Sequence, residues 1–284
     1  MDIANKVSKN NIMKIMIFVC AIWFLGASSA NASKELFDSH SHFSAEDAVN
    51  FTPQEVMQIF DRNKVKYALI SSTPNDGTEQ LYQHAPDRII PFLGLYQTFK
   101  DKNDWMHNAE VVFEVEEALK KGFYRGIGEL HIFAKDRKSP VLKELVLIAK
   151  DRDLMLQVHG DPEIIDEIFL IAPDVTVLWA HLGTKPHPWI LREALDKYSQ
   201  NLYIDTSVRD KQLLRVGNLT PLWKKLFVDY QDNFMVAIDT FSVNRWKTYD
   251  AVVKDIHDWL DDLPPEVAQK IAYGNAYKLL VEAQ

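Results

Sequence analysis

Residues 35–43 read Glu35-Leu36-Phe37-Asp38-Ser39-His40-Ser41-His42-Phe43. The apolar start suits a buried strand, and it runs into histidines instead of the glycine-rich loop that receives a dinucleotide phosphate in open α/β sheets. With residues 36–40 as the first, further stretches of this kind follow at 66–71, 89–95, 126–130, 154–159, 176–180, 202–205 and 235–239. Most are apolar nearly throughout and rich in Val, Ile, Leu, Phe and Tyr, as expected of strands buried on both faces of a parallel sheet. Helical patterns lie between them at 53–62, 110–121, 141–152, 162–171, 189–198, 211–230 and 249–260, with a weaker one at 76–84. Such alternation implies right-handed βαβ units, and eight units in about 250 residues favour closure. The predicted fold is α/β, a single-domain (β/α)8 TIM-like barrel over residues 33–284. The C-terminal helix is expected to cover the barrel's side, and the βα loops read as short.

The N-terminus departs from this pattern. Lys14, the apolar run 15–25 and the small residues ending in Ala30-Asn31-Ala32 follow the order of a secretory signal, so residues 1–32 are expected to be removed on export to the periplasm or outside the cell. The apolar run is short for a bilayer span, and no membrane attachment is expected after cleavage. Removal takes away Cys20, the only cysteine, which excludes disulfides, a thiol nucleophile and cysteine zinc sites. It also takes away three lysines and one aspartate, shifting the net charge from −8 to −10. That balance weighs against nucleic acid as a partner, since phosphate binding needs clustered Lys and Arg. A small-molecule substrate is expected, and a homo-oligomer is left open.

In a closed barrel the reacting groups come from the C-terminal strand ends. Here the stretches finish in His40 and His42, Glu129 followed by His131, His159, His181, and Asp239. Side chains two apart on a strand share a face, so His40 and His42 can reach one ion. Histidines with a carboxylate and no thiolate suit zinc, or manganese or iron where the geometry opens beyond four ligands. Asp205, at the end of its stretch, reads as a loop cap. His84, His187 and His257 read as structural or solvated, and Trp179 as barrel packing.

FDSHSH at 37–42, QVHG at 157–160, WAHLG at 179–183, AIDT at 237–240 and the closing KIAYGNAYKLL together resemble the amidohydrolase superfamily, particularly its amidohydrolase-2 branch, over residues 36–280. The resemblance implies a distorted barrel whose divalent metal, zinc with manganese or iron as alternatives, is held by His40, His42, His159 and Asp239. It places His181 on the nucleophile, the substrate or a second metal, and gives Asp239 the proton of the attacking water. Where many two-metal members carry a carboxylated lysine, this sequence has Glu129. Either the site is mononuclear, the reading favoured by the sequence, or Glu129 bridges two metals as in TatD-type nucleases. The implied activity is hydrolysis of an ester, lactone or amide of a small substrate. The alternatives are a metal-dependent decarboxylase of the same branch, a TatD-like nuclease and a non-catalytic metal-binding protein. His131 and Arg209 are candidate substrate contacts, Arg209 as a bidentate grip on an anion.

Overall fold

The computed structural model describes residues 35–282, and the reading of residues 1–32 as a secretory signal lies outside them. Each apolar stretch begins a strand: β1 Leu36–Ser41, β2 Val65–Ile70, β3 Ile89–Leu93, β4 Gly126–Ile132, β5 Met155–Gly160, β6 Val177–Trp179, β7 Leu202–Asp205 and β8 Phe234–Met235. They pair in parallel in sequence order. Residues 236–240 then run back along β1: Ser39 N donates to the Val236 carbonyl at 3.2 Å and Asp239 N to the His40 carbonyl at 2.7 Å. The result is the expected (β/α)8 barrel, nearly closed.

Alternation along the strands builds two apolar layers. Phe37, Leu69, Phe92, Met155, Leu178 and Met235 fill the barrel interior. Their neighbours Leu36, Ala68, Leu156, Val177 and Ile204 pack outward against the helices. Those helices are α1 Ala45–Asn50, α2 Pro53–Arg62, α3 Asp76–His84, α4 Glu110–Leu119, α5 Pro140–Asp151, α6 Pro162–Ile171, α7 Pro188–Tyr198, α8 Asp210–Leu213, α9 Pro221–Asp229, α10 Val243–Lys247 and α11 Tyr249–Leu260. Proline occupies the first turn of α2, α5, α6, α7 and α9, where its missing N–H has no partner to lose. Thr52 adds a capping box to α2: Glu55 N donates to its Oγ1 at 3.2 Å and Thr52 N to the Glu55 carboxylate at 2.8 Å.

Three expectations are corrected. The helical pattern at 211–230 is broken: α8 ends at Leu213, a hairpin pairs Leu214 with Leu219, and α9 starts afresh at Pro221. Val216 (φ 53°) and Gly217 (φ 78°) make the turn that no helix admits. The connection from β3 to α4, residues 94–109, is long and holds two 3-10 turns, Phe99–Asn103 and Trp105–His107. Finally, the C-terminal segment lies under the barrel instead of along its side, because Ala276 and Leu280 join the interior cluster of Phe37, Leu69 and Phe92.

Candidate metal centre

Unbroken alternation from Phe37 would point Ser39 and Ser41 inward. The β1–β2 register is irregular between Asp38 and Ser41, and this brings His40 and His42 together over the barrel mouth. Asp38 holds the irregular segment: its Oδ1 accepts from His40 N at 3.2 Å and Ile238 N at 3.0 Å, and its Oδ2 from the Tyr249 hydroxyl at 2.9 Å. The β4–β5 register is likewise irregular between Ile127 and Leu130. There Gly128 has φ 144°, and a Cβ on it would stand 2.4 Å from the Gln157 carbonyl oxygen, so only glycine fits. Glu129 and His131 consequently face the histidines. The Tyr96 hydroxyl fixes both, donating to Glu129 O and accepting from His131 N, each at 2.9 Å. His181 (φ 61°) and Asp239 (φ 57°) sit in the left-handed region, which is uncommon for such residues and typical of functional sites.

The buried Glu129 carboxylate is the hub. Its Oε2 lies 3.6 Å from His40 Nε2 and 3.5 Å from His42 Nε2. Its Oε1 lies 3.1 Å from His159 Nδ1 and 2.9 Å from His181 Nε2. Asp239 Oδ1 is 3.2 Å from His42 Nε2. Burial raises the Glu129 carboxyl, but the facing histidines outweigh it and hold the group well below the usual range. Burial likewise works against the carboxylate of Asp239, yet His40, His42 and His181 lower it to about 2. In the opposite sense, burial lowers His40, whereas Glu129, Asp205 and Asp239 lift it well above an ordinary imidazole.

The hydrogen-bond network assigns the ring protons and tests whether a cation fits. His42 Nδ1 donates to the Ser71 carbonyl at 2.6 Å, which can only accept. His40 Nδ1 donates to Asp205 Oδ2 at 3.0 Å. His181 Nδ1 donates to Ser207 Oγ at 2.7 Å, because the serine hydroxyl itself donates to Asp205. With their inner nitrogens deprotonated, as metal binding requires, these rings turn Nε2 lone pairs inward, and the Nε2 atoms of His40 and His42 stand 3.2 Å apart. Asp239 Oδ1 is buried with no hydrogen-bond partner. Acceptors converging on acceptors, with the Nδ1–H groups of His40, His42 and His181 anchored behind, is the arrangement a divalent cation satisfies. The ligand atoms of His40, His42 and Asp239 lie within 4.8 Å of one another, as do those of Glu129, His131 and His159, and those of His40, His181 and Asp205.

The structure thus brings together His40, His42, Asp239, His159, Glu129 and His181, but not as one compact quartet of the first four: His159 joins the others through Glu129. His131 lies on β4, stacks on His159 with ring centroids 4.4 Å apart and stands 3.5 Å from Lys102 Nζ. Arg209 is at the rim, its Nε donating to the His181 carbonyl at 3.2 Å. Asp205 caps its loop as expected, its Oδ1 accepting from Ser207 N at 3.0 Å, and through Oδ2 it also supports His40. It ends its strand as the candidate ligands end theirs, and this was the available signal. Ser71, Ser207, Tyr96 and Lys102 carried none. His187 is structural as expected, accepting from Trp189 N at the start of α7, and Trp179 is buried.

The Amidohydrolase family profile matches residues 80–281, which leaves His40 and His42 before the matched stretch. No curated protein sequence matches the chain. Among solved structures, an amidohydrolase from Burkholderia multivorans with bound zinc superposes with TM-score 0.56 at 15% identity, over 87% of this chain and 99% of that one. A TatD homolog from Escherichia coli K12 gives TM-score 0.61 at 15% identity, over 86% and 97%. Amidohydrolase 2 from Bifidobacterium longum subsp. infantis gives 0.55 at 16% identity, over 87% and 99%. At these identities the likeness is one of fold.

Proposed function

Because this chain belongs to the amidohydrolase family and is a metal-dependent hydrolase, we propose that it cleaves an ester, lactone or amide bond of a small substrate at the centre built around Glu129. The observation that carries the reading is the convergence of the His40 and His42 Nε2 atoms on the carboxylates of Glu129 and Asp239. Zinc suits the donor set, with manganese or iron as the alternatives. Glu129 presents one oxygen to His40 and His42 and the other to His159 and His181, which favours two ion positions over the single one read from the sequence.

Divalent cations bound there supply an acidified water and polarise a carbonyl oxygen. The protein's own groups do the rest. Asp239, kept ionised by the surrounding histidines, accepts the proton of the attacking water and passes it to the leaving group. His181 faces the attacked centre, oriented from behind by Ser207. His131 contacts the substrate from the β4 side. Residues 1–32 direct export and are removed, so the mature chain starts at Ser33 and works in the periplasm or outside the cell. The N-terminal sequence of exported protein tests that part.

Elemental analysis tests the rest: about two zinc or manganese ions per chain, lost in His40→Ala together with turnover of test lactones, esters and amides. Metal-free protein under every loading condition would remove the reading. The placement of Glu129 also favours a nuclease resembling the TatD type, which the net charge opposes. Degradation of oligonucleotides by metal-loaded protein would decide for it.

A further inference from the structure

A cavity of about 500 Å³ opens beside the metal centre, lined by His159, His181 and Asp239 and also by Arg209, Lys211 and Phe241. Its volume suits a small organic molecule. Arg209 is half-buried and tethered at one point, Nε to the His181 carbonyl at 3.2 Å. Among the described residues, neither of its terminal guanidinium nitrogens has a hydrogen bond or ion pair, and neither does the Lys211 ammonium. A guanidinium held through Nε keeps its two-nitrogen edge for an incoming pair of oxygens, the geometry that fits a carboxylate. The backbone is shaped to place it. Val208, just before Arg209, has φ 55°, a strained conformation for a β-branched residue of the kind that gathers at ligand sites.

Other charges on the cavity wall are mostly committed. Arg245 donates from Nε and one terminal nitrogen to the Ile238 carbonyl, at 3.0 and 2.8 Å. Asp210 Oδ1 accepts from the Trp259 indole at 2.9 Å, and Asp255 is the remaining acid. The three cations of the wall, Arg209, Lys211 and Arg245, match its three acids, Asp210, Asp239 and Asp255, in a chain of net charge −8, so what marks Arg209 is its free guanidinium edge and not an excess of positive charge.

We infer that the substrate is a carboxylate-bearing carbonyl compound, whose carboxylate is received by Arg209 with support from Lys211 while its scissile bond lies at His159, His181 and Asp239. Phe241, exposed on the wall, packs against the carbon chain between them. This rests on the hydrolase reading above and adds the substrate class.

The test is ligand-observed NMR with monomethyl glutarate and dimethyl glutarate, esters of one length that differ in charge, on zinc-loaded wild type, Arg209→Ala and Arg209→Lys. The wild type should bind the monoester about tenfold more tightly or better, Arg209→Ala should erase that preference, and Arg209→Lys should keep part of it. Equal binding of the two esters, no binding of either, or a preference that survives Arg209→Ala overturns the inference. Zinc content and ester hydrolysis are followed in the same samples. A preference that depends on Arg209 in protein that holds no zinc and cleaves neither ester would sink the hydrolase reading and leave the anion site standing.

Discussion

His40 Nδ1 donates to Asp205 Oδ2 across 3.0 Å, and both side chains are fully buried. Asp205 Oδ1 also accepts from His181 N at 3.1 Å, so one carboxylate orients two histidines from behind. Asp205→Asn replaces an acceptor with a group that can donate and frustrates the His40 tautomer. Zinc affinity should fall about 10- to 100-fold, as losses behind a metal ligand do. Competition with a chromophoric chelator measures it, and unchanged affinity would show that Asp205 does not set the ring.

Asp239 is assigned both metal contact and proton transfer, and Asp239→Asn separates them. The variant should keep its circular dichroism spectrum while kcat/KM drops on the order of 10²- to 10⁴-fold. If metal content falls in step with activity, the ligand role dominates. Retained metal with lost turnover isolates the proton transfer, and full activity removes Asp239 from the mechanism.

Gly128→Ala tests the irregular turn that aims Glu129. A methyl group there meets the Gln157 carbonyl at 2.4 Å in a backbone with φ 144°, so the variant should lose on the order of 3 kcal/mol or more. Gly122→Ala is the control: its φ is 76° and nothing stands within 4 Å, so only the backbone cost of about 1 kcal/mol applies. Equal melting temperatures for the two variants would mean that the strand yields around residue 128.

Burial pushes the Asp210 carboxyl up to about 6, only partly offset by the Trp259 indole N–H. In the unfolded chain the same group titrates near its ordinary value of about 3.9. The native state therefore holds this proton more tightly, and the associated stability is full below pH 4 and lost as pH rises through 6. Asp210→Asn keeps an oxygen for the indole and removes that loss. Relative to wild type it should gain on the order of 1–3 kcal/mol between pH 4 and pH 8, read from thermal melts. A difference that does not change with pH would mean that Asp210 is ionised in the native state without penalty.

The barrel was legible because its strands are apolar on both faces and alternate with amphipathic helices, five of which begin with proline. The strand-end histidines and Asp239 were legible for the same reason, since strand ends form the mouth. The central position of Glu129 was not, because it depends on a register irregularity whose trace in sequence is one glycine, Gly128. The break at 214–219 hid inside an amphipathic stretch, although Gly217 and the pair Thr220-Pro221 mark a turn and a new helix start. Ser71, Ser207 and Tyr96 act through oxygen atoms whose partners come from other strands, and local pattern holds no information about those pairings.

The floor of the barrel has a consequence for biosynthesis. Ala276 and Leu280 pack with Phe37, so the interior apolar layer joins the first strand to the last helical segment. A nascent chain emerging from the ribosome lacks that floor until residues 276–280 have been made, and its early βα units must wait with apolar faces unpaired. If the chain is exported as proposed above, such a delay would keep the polypeptide threadable until residues 276–280 arrive.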